Sequence, residues 1–306
     1  MDVAVHRIRH LNYHPKPILA MASAPHEGNL LAISRASGSV DLNIVNPKLR
    51  TIATMAGSVP LTSLAWVQVD SESSNNNNNK NVLLGVHQSD LYVIDFSSGQ
   101  LTARTSSGGG GVFCIQQVVN NVNVVAIGCE DGSIRLVQVS MARRVDDDDG
   151  SNDLYQLETI ATLPTAGAAV LSLACQKCND SSGTVRLYAG VADGTIRRYD
   201  CSATTSDYRT SWKSTLRMTV ECYGRSTPTR VWTLKAASDG TLVSGDSLGH
   251  VQFWDGNTGT LIASFEQNDN KADVLALELT ADECKLFASG VDSRVICIQR
   301  SNTNEN

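Results

Sequence analysis

Two cysteines three positions apart, Cys175 and Cys178, form a spacing that can bind a metal or carry out redox chemistry. A structural zinc site needs two further ligands at matching spacing. A redox pair needs a strand–helix–strand context. The chain contains no second pair of cysteines with this spacing. We therefore interpret Cys175 and Cys178 as two thiols beside a loop, and we predict that no structural zinc is bound.

Three other groups have the composition of a functional site without its spacing. His6, His10 and His14 would share a face only on a helix, whereas residues 5–11 alternate like a strand and prolines follow them. Asp146–Asp149 are consecutive, whereas calcium loops place their ligands at alternate positions. The glycines 108–111 are not followed by the lysine of a phosphate-binding loop. We predict no catalytic residue, metal or cofactor, and we expect the protein not to be an enzyme.

A basic segment at the N-terminus is the one candidate for contact with RNA. It contains Arg7, Arg9 and Lys16, together with two histidines. The formal net charge of the whole chain is −6, which opposes broad binding of nucleic acid. The segment is therefore either a local RNA contact or a solvated outer strand.

The composition is that of a folded chain. Of the 306 residues, 42% are hydrophobic and 18% are charged, which favours a large core over disorder. Most of the eight cysteines lie in apolar runs, which favours reduced, buried thiols in an intracellular compartment. We found neither an N-terminal signal-like segment nor an apolar run of the roughly 18 residues that span a membrane. These features predict a soluble protein that is not secreted.

A repeated order of strands organises the chain. Six times a β-rich run leads into a turn of small residues and then into a second β-rich run, with successive turns about 43–62 residues apart. The turns contain Gly38, Ser89, Gly132, Gly194, Gly249 and Arg294. Glycine supplies the positive φ that a tight hairpin requires, and we expect it at Gly132 and Gly194.

A further short strand precedes each hairpin. These runs begin at Ile18, Leu61, Val112, Val170, Val231 and Val274. With an outer strand following each hairpin, the pattern predicts an all-β fold of six four-stranded blades, a β-propeller of degenerate WD repeats. Only Trp254-Asp255 spells the dipeptide that gives these repeats their name.

One domain covering residues 1–306 is expected, with a ring of seven blades. The ring would be completed by the lone N-terminal strand, by sequence missing at the C-terminus, or by both. Polar insertions at about 70–81, 141–153 and 202–210, and the tail 301–306, are predicted to be loops or disordered.

Several segments carry a resemblance to a known family. The N-terminal stretch 5–13 with residues 31–40, residues 128–133, and residues 246–261 around Gln252-Phe253-Trp254-Asp255 are similar in sequence and order to cirhin, also called U three protein four. The resemblance extends from about Val5 to Val295. The resemblance implies that this chain is the N-terminal propeller of a longer protein with two propellers in tandem.

The resemblance to the cirhin family also implies a function. Its members are nucleolar scaffolds of the small-subunit processome that support maturation of small-subunit ribosomal RNA. The implied partners are other WD-repeat proteins of the early subcomplex and the 5′ external spacer of pre-rRNA, contacted directly or indirectly. Arg35 matches a family position on a loop and would either face a partner or be solvated. The alternative is a WD-repeat adaptor unrelated to ribosome assembly, because propellers serve many functions.

Overall fold

All regular structure in the described part of the chain is β-strand. The computed structural model describes residues 16–24, 29–45, 48–57, 59–70, 79–96, 98–142, 154–178, 184–201, 212–220, 227–266 and 272–299. These ranges contain 23 strands in six antiparallel sheets, each built from consecutive strands. None of the described residues forms a helix that could cross a membrane. The predicted all-β class is confirmed.

Five sheets have four described strands and the sixth has three. Sheet 1 contains β1 (Ile18–Ser23), β2 (Leu30–Arg35), β3 (Val40–Ile44) and β4 (Arg50–Met55). Sheet 2 contains β5 (Ser63–Asp70), β6 (Asn79–His87), β7 (Asp90–Asp95) and β8 (Gln100–Ser106). Sheet 3 contains β9 (Val112–Gln117), β10 (Val124–Cys129), β11 (Ile134–Ala142) and β12 (Leu154–Thr162). Sheet 4 contains β13 (Val170–Lys177), β14 (Val185–Val191), β15 (Thr195–Cys201) and β16 (Lys213–Thr219). Sheet 5 contains β17 (Val231–Ala236), β18 (Thr241–Asp246), β19 (His250–Asp255) and β20 (Leu261–Glu266). Sheet 6 contains β21 (Val274–Leu279), β22 (Lys285–Gly290) and β23 (Val295–Gln299).

The first strands of successive sheets pack against one another around a common axis. β1 contacts β5, and the contacts continue through β9, β13 and β17 to β21. The later strands of each sheet lie progressively further out, as in the blades of a propeller. The β-propeller inferred from the repeats is confirmed, while the described residues contain six sheets and no seventh.

Five hydrophobic cores lie between neighbouring sheets. Between sheets 5 and 6, for example, Val243 and Val251 pack against Val274 and Leu277. The sheets approach closely where the second strand carries glycine: a Cβ on Gly245 would lie 2.6 Å from Cγ1 of Val274. The near-continuous apolar run before the turn of sheet 3 is a strand buried on both faces, as predicted, and every residue of β10 is buried. In β22 of sheet 6, by contrast, Lys285 and Phe287 are exposed.

The expected left-handed glycines are present at the hairpin turns. Gly132 has φ of 82° and Gly194 has φ of 80°. The prediction of tight turns at these two positions is confirmed.

Two of the expected insertions are partly strand. Asp70 pairs with Asn79, so β5 and β6 extend into the range 70–81, and β11 extends to Ala142. Pairing with a well-packed neighbouring strand outweighs the low strand propensity of asparagine. The remaining parts, residues 71–78, 143–153 and 202–210, and the tail 301–306 lie outside the described residues.

Candidate partner-binding face and channel

The turns between second and third strands and the connectors into the first strands share one face of the propeller. In sheet 3 the N–H of Glu130 donates to the carbonyl of Gly111, and in sheet 4 Ala192 donates to Ala169. The same hydrogen bond recurs in sheets 1, 5 and 6. It holds each connector to the turn beside it. We call this surface the turn face.

A β-bulge lies at the second residue of the first strand in the same five sheets. The bulged residues are Leu19, Phe113, Leu171, Trp232 and Leu275. Sheet 2 has neither the bulge nor this backbone hydrogen bond, and the ring of His87 instead contacts the carbonyl of Pro60 at 2.8 Å. Bulges redirect side chains, and three of these bulged apolar residues are exposed: Leu19, Phe113 and Leu275. The sequence pattern of the first strands did not reveal them.

Two of the turns are braced by the sequence Asp-Gly-Ser/Thr-Ile-Arg. Asp131 Oδ1 accepts hydrogen bonds from the backbone and the hydroxyl of Ser133, at 2.8 and 2.6 Å. Burial raises the pKa of Asp131, but the hydrogen bonds from Ser133 and the charge of Arg135 outweigh it and lower the pKa overall. Arg135 then donates to the carbonyl of Gly108 at 2.9 Å, in the connector from the preceding sheet.

Sheet 4 repeats this arrangement. Thr195 donates its N–H to Asp193 at 3.0 Å, and Arg197 donates to the carbonyl of Ala166 at 3.2 Å. The repeated five-residue sequence was visible in both turns, but the contact of its arginine with the preceding connector was not inferred from it.

The glycine run 108–111 belongs to the first of these connectors. The N–H of Gly111 donates to Glu130 Oε2 at 3.1 Å, and the N–H of Gly109 donates to Ser107 Oγ at 3.2 Å. Internal oxygens thus occupy donors that a phosphate-binding loop would present to its ligand. The run acts as a structural connector between sheets 2 and 3.

Most arginines in the described ranges are paired with carboxylates. Seven of them lie within 4.0 Å of an aspartate oxygen: Arg35, Arg104, Arg135, Arg186, Arg197, Arg198 and Arg217. A separate cation, Arg230, lies over the ring of Trp232, 5.6 Å from its centroid. The turn face therefore offers hydrogen-bonding and apolar groups more than free positive charge.

The four residues proposed as contacts divide into two pairs. Arg7 and Arg9 lie outside the described residues. Lys16 is exposed, just before β1. Arg35 is the last residue of β2 rather than a loop residue; its Nε donates to Asp41 Oδ2 at 2.8 Å and its Nη1 to the carbonyl of Lys16 at 3.2 Å. The structure thus brings Lys16 and Arg35 together, and it neutralises the charge of Arg35 locally.

The central channel has a volume of about 700 Å³. Its lining includes Trp66, Gln116, Gln117, Lys235 and Glu278 from the first strands. Lys235 Nζ lies 2.7 Å from Glu278 Oε2, so these two opposite charges compensate each other. The channel walls combine amide and apolar groups, which suit binding.

The pair of cysteines lies at the end of a first strand. Cys175 is in β13 and Cys178 follows it, and neither forms a disulfide bond. Burial raises the pKa of Cys175 to about 12, against a smaller opposing effect of the N–H of Val119, which donates to its sulfur. Among the described residues no three histidine, cysteine or acidic side chains form a group that could hold a metal. His6, His10, His14 and Asp146–Asp149 lie outside the described residues.

Comparison with known proteins yields relatives of one kind. No family model matches the chain. The chain is 27% identical over 317 residues to U3 small nucleolar RNA-associated protein 4 of Schizosaccharomyces pombe, covering 97% of this chain and 38% of that protein. It is 27% identical to the protein of the same name in Saccharomyces cerevisiae, over 98% of this chain and 36% of that protein. Its similarity to the human homologue is 27% identity over 86% of this chain and 33% of that protein.

These relatives confirm the resemblance indicated by the N-terminal stretch and the Trp254-Asp255 segment. The chain spans between 33% and 38% of the length of these three relatives.

Proposed function

We propose that this chain, a homologue of U3 small nucleolar RNA-associated protein 4, is a non-catalytic scaffold in assembly of the small ribosomal subunit. The observation that carries the proposal is the match to that protein over 97% of the chain, along a fold of repeated sheets. The relatives' name states an association with U3 small nucleolar RNA. We infer a nucleolar location and a role in processing pre-rRNA to small-subunit RNA.

The chemistry of the turn face and the channel supports binding as the activity. The bulged apolar residues and the paired arginines form a stable surface of mixed polarity. Interfaces between proteins typically combine apolar anchors with such polar groups. Other WD-repeat proteins of the early processome subcomplex are the proposed partners. Contact with the 5′ external spacer of pre-rRNA is direct through Arg7, Arg9 and Lys16, or indirect through those proteins.

The test measures where the tagged chain is located, which molecules co-purify with it, and how its depletion changes ribosomal RNA. The tagged chain should concentrate in the nucleolus and co-purify with U3 RNA and early small-subunit assembly factors. Depletion should lower mature small-subunit RNA relative to large-subunit RNA, and re-expression of the tagged chain should restore that ratio. A cytoplasmic chain whose depletion leaves the ratio unchanged would support the unrelated adaptor instead.

A pair of matched variants tests whether the turn face is the surface that binds the assembly factors. Phe113→Ser and Trp232→Ser remove two bulged apolar groups of the turn face and should reduce co-purification of assembly factors. Leu261→Ser and Ile262→Ser remove apolar groups from the start of β20, where Leu261 pairs with Trp254 at the end of the strand opposite the turn. The control should retain the co-purifying factors, and both proteins must show the wild-type strand content by circular dichroism. Equal recovery with both variants would exclude the turn face as the scaffold's contact surface.

A further inference from the structure

Sheet 4 carries arginine at two positions where its neighbour carries apolar residues. The strand registers place Arg186 and Arg198 at the positions that Val124 and Leu136 hold in sheet 3. Val124 and Leu136 are buried in the core between sheets 3 and 4. The side chains of Arg186 and Arg198 remain 18% and 12% exposed. A sheet of this kind therefore does not require charge at these positions to pack against the next sheet.

Positive charge is incompletely compensated in sheet 4. Within the described ranges, each of two aspartates serves two arginines at distances of 3.2–4.0 Å: Asp200 serves Arg186 and Arg198, and Asp193 serves Arg197 and Arg217. Because one carboxylate balances one guanidinium, each group keeps an excess of one positive charge. Lys213, which pairs with Asp200 in the strand register, adds a further cation.

The neighbouring sheets have the opposite balance of charge. From the second strand to the fourth, the described residues of sheet 4 include five basic and two acidic side chains. The described residues of the same part of sheet 3 include one basic and three acidic side chains. Those of sheet 5 include three acidic side chains and no lysine or arginine. Sheet 4 is therefore a positive region between two negative ones, in a chain whose net charge is −6.

The positive charge is accessible along β16, the outer strand of sheet 4. Its exposed residues are two cations and three hydroxyl residues: Lys213, Arg217, Ser214, Thr215 and Thr219. The side chain of Arg217 is 57% exposed. In the described part of the chain, no strand pairs with the outer edge of β16. We call β16, together with Arg186, Arg197 and Arg198, the basic edge.

We propose that the basic edge is an interaction surface for an acidic, extended segment of a partner protein. A segment of about seven residues, at about 3.3 Å per residue, would extend along β16 from Lys213 to Thr219. Guanidinium and ammonium groups bind carboxylates through charge-assisted hydrogen bonds, and the hydroxyl groups of β16 supply further donors. The proposal rests on the charge and exposure of these residues and is independent of the role in ribosome assembly.

The distribution of charge favours an acidic polypeptide over RNA. Carboxylates on separate side chains approach the cations individually, so they can be spaced to avoid Asp193 and Asp200. An RNA strand carries a phosphate at every nucleotide, and it would bring phosphates close to both aspartates. The net charge of −6 also opposes the binding of a long polyanion.

Binding of labelled peptides to the purified chain tests the proposal. The probe is a fluorescently labelled peptide of alternating glutamate and serine, and in the control peptide glutamine replaces glutamate. At low salt the glutamate peptide should bind about tenfold more tightly than the control, because its carboxylates complement the basic edge. The preference should shrink as the salt concentration rises from about 50 to about 200 mM, since salt screens exposed charges. Equal affinities for the two peptides would overturn the proposal.

A matched pair of variants locates the binding surface. Lys213→Gln combined with Arg217→Gln should weaken binding of the glutamate peptide about fivefold. Arg50→Gln combined with Arg294→Gln removes the same charge from two other exposed positions and should leave the affinity unchanged. Neither variant should shift the thermal melt, since exposed charges contribute little to stability. Equal losses of affinity would show that the peptide responds to net charge alone and would contradict a defined surface.

A short oligouridylate RNA distinguishes the two classes of partner. It should bind the purified chain less tightly than the glutamate peptide, and its affinity should not change with Lys213→Gln and Arg217→Gln. Tighter binding of the RNA that is lost in this variant would make the basic edge a surface for nucleic acid and would overturn the proposal.

Site-specific photo-crosslinking in cells identifies the partner segment. The crosslinking residue p-benzoylphenylalanine replaces Ser214 in one full-length chain and Thr102, an exposed residue of the outer strand of sheet 2, in another. From Ser214 it should capture a protein segment in which aspartate and glutamate outnumber lysine and arginine, and from Thr102 it should not capture that segment. Capture of a segment without an excess of acidic residues, or equal capture from both positions, would contradict the proposal.

The two proposals fail in distinguishable ways. A depletion that spares small-subunit RNA contradicts the role in ribosome assembly, while selective binding of the glutamate peptide would still establish the basic edge. Nucleolar location with equal affinities for the glutamate and glutamine peptides gives the reverse outcome.

Discussion

Gly132 combines two constraints at the turn between β10 and β11. Its φ is 82°, and a Cβ there would lie 2.8 Å from the carbonyl oxygen of Ala168. Gly167 has a similar φ of 87°, but a Cβ there would have no atom within 4 Å. Comparing Gly132 with Gly167 therefore distinguishes the effect of backbone strain from the effect of steric overlap with the neighbouring connector.

Replacing Gly132 with alanine should destabilise the fold more than replacing Gly167. Each substitution imposes the strain of a left-handed residue, about 1–3 kcal/mol. Gly132→Ala adds overpacking against backbone atoms, for a further loss on the order of 1–3 kcal/mol. Urea unfolding of both variants measures the difference in the free energy of unfolding. Equal losses would show that the connector at Ala168 moves aside without cost.

The thiols differ in reactivity because the thiolate is the nucleophile. Cys175 has its pKa raised to about 12 by burial, whereas the side chain of Cys297 is exposed. At pH 8 the thiolate fraction of Cys175 is on the order of one in 10⁴, and it rises only as the pH approaches 12. Iodoacetamide should therefore modify Cys297 in the native protein while Cys175 stays unmodified.

Mass spectrometry of the modified peptides measures both rates, with urea-unfolded protein as the control in which both cysteines react. Native modification of Cys175 at a rate close to that of Cys297 would contradict the buried placement of β13. The expectation that the chain binds no structural zinc remains a prediction, which elemental analysis of the purified protein would test.

Sheets 4 and 5 are joined by two arginines on a shared aspartate. Arg198 Nη2 lies 3.2 Å from Asp200 Oδ2, and Arg186 Nε lies 3.6 Å from Asp200 Oδ1. Both arginines also reach into sheet 5: Arg198 donates to the carbonyl of Gly256 at 2.7 Å and Arg186 to Asn257 Oδ1 at 2.6 Å. Asp200 therefore holds both guanidinium groups in position for contacts between sheets.

Asp200→Asn should lower the free energy of unfolding by about 1–3 kcal/mol, because it leaves two largely buried cations without their compensating charge. Glu278→Gln is the matched control, since Glu278 pairs with Lys235 with side-chain exposures of 71% and 38%. An exposed pair of this kind contributes about 0–1 kcal/mol. Thermal or urea unfolding of both variants gives the comparison, and equal effects would show that Asp200 does not couple the two sheets.

Strand order was readable from the sequence because each sheet repeats the same local signals. The turn glycines mark a backbone conformation that few other residues adopt. The continuous apolar runs, such as Val124–Gly128 in β10, mark strands that are buried. The bulges and the brace from Arg135 to Gly108 were not readable, because they depend on contacts between residues far apart in sequence. The start of β5 shows the same limit. The apolar run begins at Leu61, but the strand begins at Ser63 in the one sheet whose register carries no bulge at that end.

At the scale of the molecule, charge is distributed in compensated pairs. The chain carries 25 lysines and arginines against 31 acidic residues. On the turn face, Arg135 and Arg197 are paired with aspartates in their own turns. The candidate contact Arg35 is likewise paired with Asp41. Sequence identified the excess of acid and the basic N-terminal segment, but not which cations are neutralised, since that requires the positions of the side chains.

Binding of RNA to the isolated chain should consequently be weak and only shallowly dependent on salt. With Arg7, Arg9 and Lys16 as the contacts, about three phosphates are neutralised. Each contributes a slope of roughly −0.7 in a plot of log K against log salt concentration for single-stranded RNA. We expect a slope near −2 between about 50 and 200 mM salt. Charge reversal at Arg7 and Arg9 should bring the slope towards zero, because it removes two of the three proposed phosphate contacts. Reversal at Arg50 and Arg294, which are exposed elsewhere, changes the net charge equally and should leave the slope as it was. A slope steeper than about −4 would mean that the propeller presents a broad phosphate-binding surface, and would shift the proposed scaffold from protein contacts to direct binding of RNA.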